Sequence, residues 1–184
     1  MNAIRLTEPQ RGGSTPAATF DDPASLLHAC HDRVQERCDL LEKLRDHVKS
    51  HGADPQAIDA ASNVLRYFDV AAPLHHEDEE KHVFPRLLAS GDAALVQCAQ
   101  TLQQQHTQMT AIWQTLRPLL INIQQGDASA LLPQAQVVDD FVALYRAHIE
   151  LEESHAFPAG FADMPADTRQ QMGDEMAQRR GAVR

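Results

Sequence analysis

HHEDEEKHVFP at residues 75–85 and HIELEESHAFP at residues 148–158 decide how this chain folds. Both read H-x-E-x-E-E-x-H-x-F-P, with seven of eleven positions identical. In each, the first histidine and the second glutamate stand four residues apart, which puts them on one face of a helix. Ala61, Leu65, Phe68 and Ala72 lead into His75 and Glu79, and Phe141 and Tyr145 lead into His148 and Glu152. Steps of three and four residues mark the inward seam of an amphipathic helix. Histidine and glutamate therefore occupy seam positions where apolar side chains belong.

Two further seams carry the same anomaly. Leu27, His31, Val34, Cys38 and Leu41 form one; Leu95, Ala99, Leu102, His106, Met109, Trp113, Leu116 and Leu120 form the other. Punctuation fixes the helix limits. Asp22-Pro23 and Asp54-Pro55 offer an N-cap followed by a first-turn proline, and Gly52, Gly91 and Gly126 offer stops. The expected helices run over about residues 22–50, 55–89, 92–125 and 133–156, the second kinked or split at Pro73 and the fourth stopping near Pro158. A short helix near 165–180 should pack outside or fray. No strand or hairpin pattern is present. The expected fold is all-α: an up-down-up-down four-helix bundle with a short extra C-terminal helix. Residues 1–20, with Gly12, Gly13 and Pro16, read as a flexible tail, 21–160 as the bundle, and 161–184 as a C-terminal helix and tail.

Alternating helix direction brings the starts of the first and third helices beside the ends of the second and fourth. At a rise of about 1.5 Å per residue, His31, His75, Glu79, His106, His148 and Glu152 fall in one layer roughly 10 Å thick. Bare carboxylates inside a core are expensive. Two metal ions remove that cost if both glutamates bridge them and each ion takes two imidazoles. Imidazole with carboxylate suits iron, manganese or zinc. Open positions on the ions could accept O2, peroxide, NO or water.

CHDRV (30–34), LHHEDEEKHVFPRL (74–87), HTQM (106–109) and HIELEESHAFP (148–158) resemble the hemerythrin HHE cation-binding family over about residues 24–160. The resemblance implies two non-haem iron ions, oxo- or hydroxo-bridged, on His31, His75, Glu79, His106, His148 and Glu152. Two positions depart from it. Oxygen-carrying hemerythrins place a second histidine one turn after that of the third helix and an aspartate five residues after the last histidine. Here those positions are Thr110 and Glu153. The pattern is closer to bacterial proteins of iron-centre repair and to iron-sensing hemerythrin-like domains, so reversible O2 carriage is not the expected role.

Alternatives remain within the motifs. His28 shares a face with His31, although the seam passes through His31. His76 and Glu80 repeat the H-x3-E spacing about 100° around the helix, and the internal repeat favours His75 and Glu79. Glu77 and Glu150 read as a solvated face, His82 and His155 as surface residues, and Tyr145 as core. His47 and His51 lie at the far end of the bundle and carry no expected role.

Composition limits the rest. A net charge of -10 argues against a nucleic-acid partner. No apolar run approaches the roughly 20 residues that span a bilayer, and no signal peptide is visible, so a cytoplasmic protein is expected. Cys30, Cys38 and Cys98, without CxxC spacing, read as small buried apolar residues. Three roles fit. The chain binds or senses O2, NO or peroxide, or handles iron for repair of iron centres. Alternatively, it is an oxidoreductase that reduces such molecules with electrons from a partner. In the third, the metal is a staple for the bundle.

Overall fold

Asp22, Asp54 and Asp92 start the helices, as their side-chain oxygens accept first-turn backbone N–H groups. The computed structural model describes residues 19–182. Most of the expected N-terminal tail, and residues 183–184, lie outside them. The first rod of the bundle is α1 (Pro23–His51). The second comprises α2 (Pro55–Arg66), a wider π turn (Tyr67–Ala71), α3 (Ala72–His82) and α4 (Phe84–Leu88). The third is α5 (Ala93–Gln124). The fourth comprises α6 (Gln136–Leu151), a second π turn (Glu152–Ala156) and α7 (Phe157–Phe161). Each rod packs on the next and the fourth returns to the first, closing an up-down-up-down bundle. There is no strand among the described residues. None of their helices is long and apolar enough to cross a membrane.

Three prolines are handled in one way. Pro73, Pro85 and Pro158 are each the second residue of a new helical segment. A proline in a first turn lacks only an N–H that has no partner there. Before Pro73 and Pro158 the chain widens into its π turns, in which Ala72 and Phe157 donate to carbonyls five residues back, those of Tyr67 and Glu152. The second rod thus splits at Pro73 without breaking. The fourth does not stop at Pro158, but runs on to Phe161.

The C-terminal helix α8 (Ala166–Arg179) is docked and does not fray. It buries Met172, Met176 and Ala177 against α1 and α3. Gly173 makes the approach possible, because a Cβ there would sit 1.9 Å from the Phe20 carbonyl oxygen. The core has two apolar halves. One gathers Val34, Leu41, Phe68, Met109 and Phe141; the other gathers Leu27, Phe84, Leu102, Phe157 and Met172. Along every rod the histidines and glutamates fall between residues of the two halves. All three cysteines are buried and unpaired.

Candidate metal centre

Between the apolar halves the rods deliver one polar layer. α1 supplies His31, α3 supplies His75 and Glu79, α5 supplies His106, α6 supplies His148, and Glu152 opens the second π turn. All six are at most 5% exposed, and both glutamates are fully buried. The Nε2 of His31 lies 3.0 Å from Glu152 and 3.6 Å from Glu79. That of His75 lies 3.0 Å from Glu79, that of His106 3.5 Å from Glu79, and that of His148 3.2 Å from Glu152. These atoms form two groups, His31–His75–Glu79–Glu152 and Glu79–His106–His148–Glu152. Within each, the donor atoms all lie within 4.8 Å of one another.

The outer nitrogens are held from the rim. His31 donates from Nδ1 to Glu153 (3.0 Å), His106 to Glu80 (2.8 Å) and His148 to the side-chain oxygen of Gln105 (3.0 Å). The Nδ1 of His75 has no such partner. With the proton at Nδ1, a neutral ring turns a bare Nε2 lone pair inward. The Nε2 atoms of His106 and His148 then face one another at 3.2 Å. Two lone pairs at that distance repel unless a proton or a metal ion lies between them. Adjacent donors on one ion with bonds of about 2.1 Å are roughly 3 Å apart. Both oxygens of Glu79, both of Glu152, and the Nε2 of His31 lack any hydrogen-bond partner despite their burial. They lie close to the imidazole nitrogens without being aligned to bond them. An ion-sized set of nitrogen and oxygen donors fits a metal such as iron, manganese or zinc.

The electrostatics agree. Burial pulls the His31 imidazole down, but the carboxylates of Glu152 and Glu79 outweigh it and raise it to about 9. Burial likewise opposes His75, which the charge of Glu79 holds well above its ordinary value. Burial would push Glu79 up; the charge of His75, with the nearby imidazoles of His106 and His31, holds it well below the carboxylate range. The two carboxylates thus draw positive charge onto the imidazoles around them, a place that a metal ion could take from the protons.

Other residues sort around this layer. His28 is exposed; it lies 3.4 Å from Glu153 and edge-on to Phe157, outside the buried layer. Glu77 pairs with Lys81 outside, and Glu150 and His155 are exposed. His47 bonds Asp54 at 3.0 Å at the far end, with His51 stacked on it. Tyr145 is buried, and burial pushes its phenol well above the ordinary value. His82 is not a surface residue: it is half-buried, and Arg179 donates to it at 3.1 Å. Sequence reading missed three features. Glu80, Gln105 and Glu153 act from the rim. Asp78, fully buried beside Glu79, is clamped by Arg179 and Arg180 of the C-terminal segment. His76, set aside by the helical phase, has its Nε2 in the polar layer, where burial and then His106 hold the ring well below its ordinary value. Charged neighbours on both sides of these motifs gave no periodic signal for any of them.

The sequence profile of the hemerythrin HHE cation binding domain matches residues 22–159. An uncharacterized protein of Haemophilus influenzae is 32% identical over 180 residues, which are 96% of this chain and 98% of that protein. The chain belongs to the hemerythrin HHE cation-binding family.

Proposed function

We propose that this hemerythrin-family chain holds two non-haem iron ions, with which it binds or senses O2, NO or peroxide, or keeps iron for the repair of iron centres. His31 and His75 serve one ion, His106 and His148 the other, and Glu79 and Glu152 serve both. The carrying observation is that two buried donor groups share the same two carboxylates. One ion would need only one group.

Iron in such a site supplies redox chemistry and attachment of small oxidants and NO. The chain's own residues do the rest. Glu80, Gln105 and Glu153 fix the proton at Nδ1, so that Nε2 remains the inward donor. Phe157 stacks on His31 at 5.0 Å, and Phe84 packs beside His106 at 5.4 Å; both rings shield the layer from water on the α8 side. A staple for the bundle would need neither the second ion nor the shared carboxylates.

Elemental analysis of protein purified from iron-supplied cells, with its optical spectrum, tests the assignment. Two irons per chain are expected, and His75→Ala and His148→Ala each lose metal. Retention of both ions by either variant removes the ligand assignment. Stopped-flow mixing of the reduced protein with O2, peroxide and NO then separates roles: a stable adduct supports binding, and turnover marks an oxidoreductase drawing on an electron donor.

A further inference from the structure

His76 belongs to the polar layer but to neither shared-carboxylate group. Its Nε2 is buried without a hydrogen-bond partner. A ring nitrogen of His76 lies within 4.8 Å of donor nitrogens of His106 and His148. Even so, the ring does not sit as a ligand would. It is stacked on His106, with centroids 3.9 Å apart and planes 14° from parallel. A metal binds imidazole along the nitrogen lone pair, in the plane of the ring. One ion cannot lie in two parallel planes, so His76 stands beside the ion that His106 faces.

The same ring lines a cavity of about 130 Å³ between the second, third and fourth rods. Phe68, Trp113 and Phe141 make its walls largely apolar, and its polar lining comes from His76, Thr110 and Tyr145. Thr110 already donates its hydroxyl to the His106 carbonyl at 2.9 Å. The space is smaller than the roughly 300–1,000 Å³ of pockets that enclose organic ligands of ordinary size, and suits a molecule of a few heavy atoms. The cavity therefore reaches from the outside of the bundle to the His76 ring, whose buried Nε2 lies on the side of the second donor group.

We propose that this cavity admits a small ligand bearing a hydrogen-bond acceptor, of the class of dioxygen, peroxide, NO or azide, and that His76 hydrogen-bonds it beside the ion of His106 and His148. This rests on the di-iron assignment above. His76 is a ligand-contacting residue and not a metal ligand, and the two roles leave different signatures.

The probe is sodium azide, titrated optically into the diferric protein. His76→Ala should keep the iron content of the parent chain while its azide Kd rises about ten-fold or more, the loss expected for one hydrogen bond to a charged ligand. His76→Gln, which keeps an N–H donor, should recover part of the affinity. Thr110→Trp, at the exposed edge of the cavity, should slow azide binding with His76 intact, and it keeps the test available if His76→Ala fails to fold. Iron loss in both His76 variants would make the residue a ligand and overturn the proposal. So would an azide Kd unchanged in both, or an unaltered rate in Thr110→Trp. A parent chain that takes up no iron, or binds iron and no azide, would instead sink the underlying assignment and this inference with it.

Discussion

Asp78→Ala separates the role of α8 from that of the metal. Asp78 is fully buried one residue before Glu79. Its Oδ1 accepts from Arg179 at 2.5 Å and 3.1 Å, and its Oδ2 accepts from Arg180 at 2.6 Å. The two arginine side chains are 14% and 21% exposed. Alanine removes the carboxylate and leaves Arg179 only Glu175 and His82, and Arg180 only the Met176 carbonyl, at the edge of the core. Breaking a buried pair by removing one partner costs about 3–5 kcal/mol. Because both arginines retain a little access to water, the low end, about 3 kcal/mol, applies. For a domain of this size about 1 kcal/mol moves Tm by roughly 2–4 °C, so a fall of about 6–12 °C is expected in thermal melts followed by circular dichroism. Limited proteolysis should first cut near α8, and iron should leave faster during dialysis against a chelator, because Glu79 loses its brace. Replacing all three charged groups together (Asp78→Leu, Arg179→Met, Arg180→Met) leaves no stranded charge, and should melt within a few degrees of the parent. An Asp78→Ala protein that melts within about 2 °C of the parent would refute the clamp.

Three other perturbations follow from the packing. Gly173→Ala would place its Cβ 1.9 Å from the Phe20 carbonyl oxygen; α8 must shift, and a loss of about 1–3 kcal/mol in chemical denaturation is expected, where alanine in an open helix would instead add stability. Phe157→Ala removes the ring stacked on His31, costing about 3–5 kcal/mol with a lower iron content by elemental analysis; full iron retention would show that the ring does not support the site. His47→Ala breaks the contact to Asp54 at the far end of the bundle and should leave iron content unchanged, whereas iron loss would show that the polar layer has been misplaced.

Helix type and phase were legible because they depend on local forces. The seams through Leu27 and Leu41, or Ala61 and Ala72, need only amphipathic spacing, and Asp54-Pro55 needs only a cap and a fixed φ. The π turns were not legible. A helix can meet a proline by ending, kinking or widening, and neighbouring rods decide which. At Pro158 the packed surroundings of Phe157 make continuation worthwhile, since that ring fills the apolar half below His31. The sequence leaves equally open whether α8 packs on the bundle or frays. Its apolar residues are few, and its anchors are Arg179 and Arg180, whose partner Asp78 lies about a hundred residues earlier in the chain.

The metal layer divides along the same line. His31, His75, Glu79, His106, His148 and Glu152 were visible because a seam exposes any polar residue that breaks its apolar rule. That rule assumes one buried face per helix. α3 violates it: the bundle covers His75 and Glu79, α8 covers Asp78 on one side of them, and on the other side His76 meets His106. Three adjacent directions of one helix are thus occupied, and a charged residue that reads as solvated becomes core. Glu80, Gln105 and Glu153 hide for the opposite reason. They reach buried imidazoles from the surface across 26, 43 and 122 residues of sequence, so no spacing announces them. Local periodicity therefore selects the donors, while tertiary contact sets which nitrogen each histidine presents. A change at a rim residue such as Gln105 alters no motif, yet it frees the His148 ring to choose the other tautomer. The inward face of the cage would then carry a proton where it needs a lone pair.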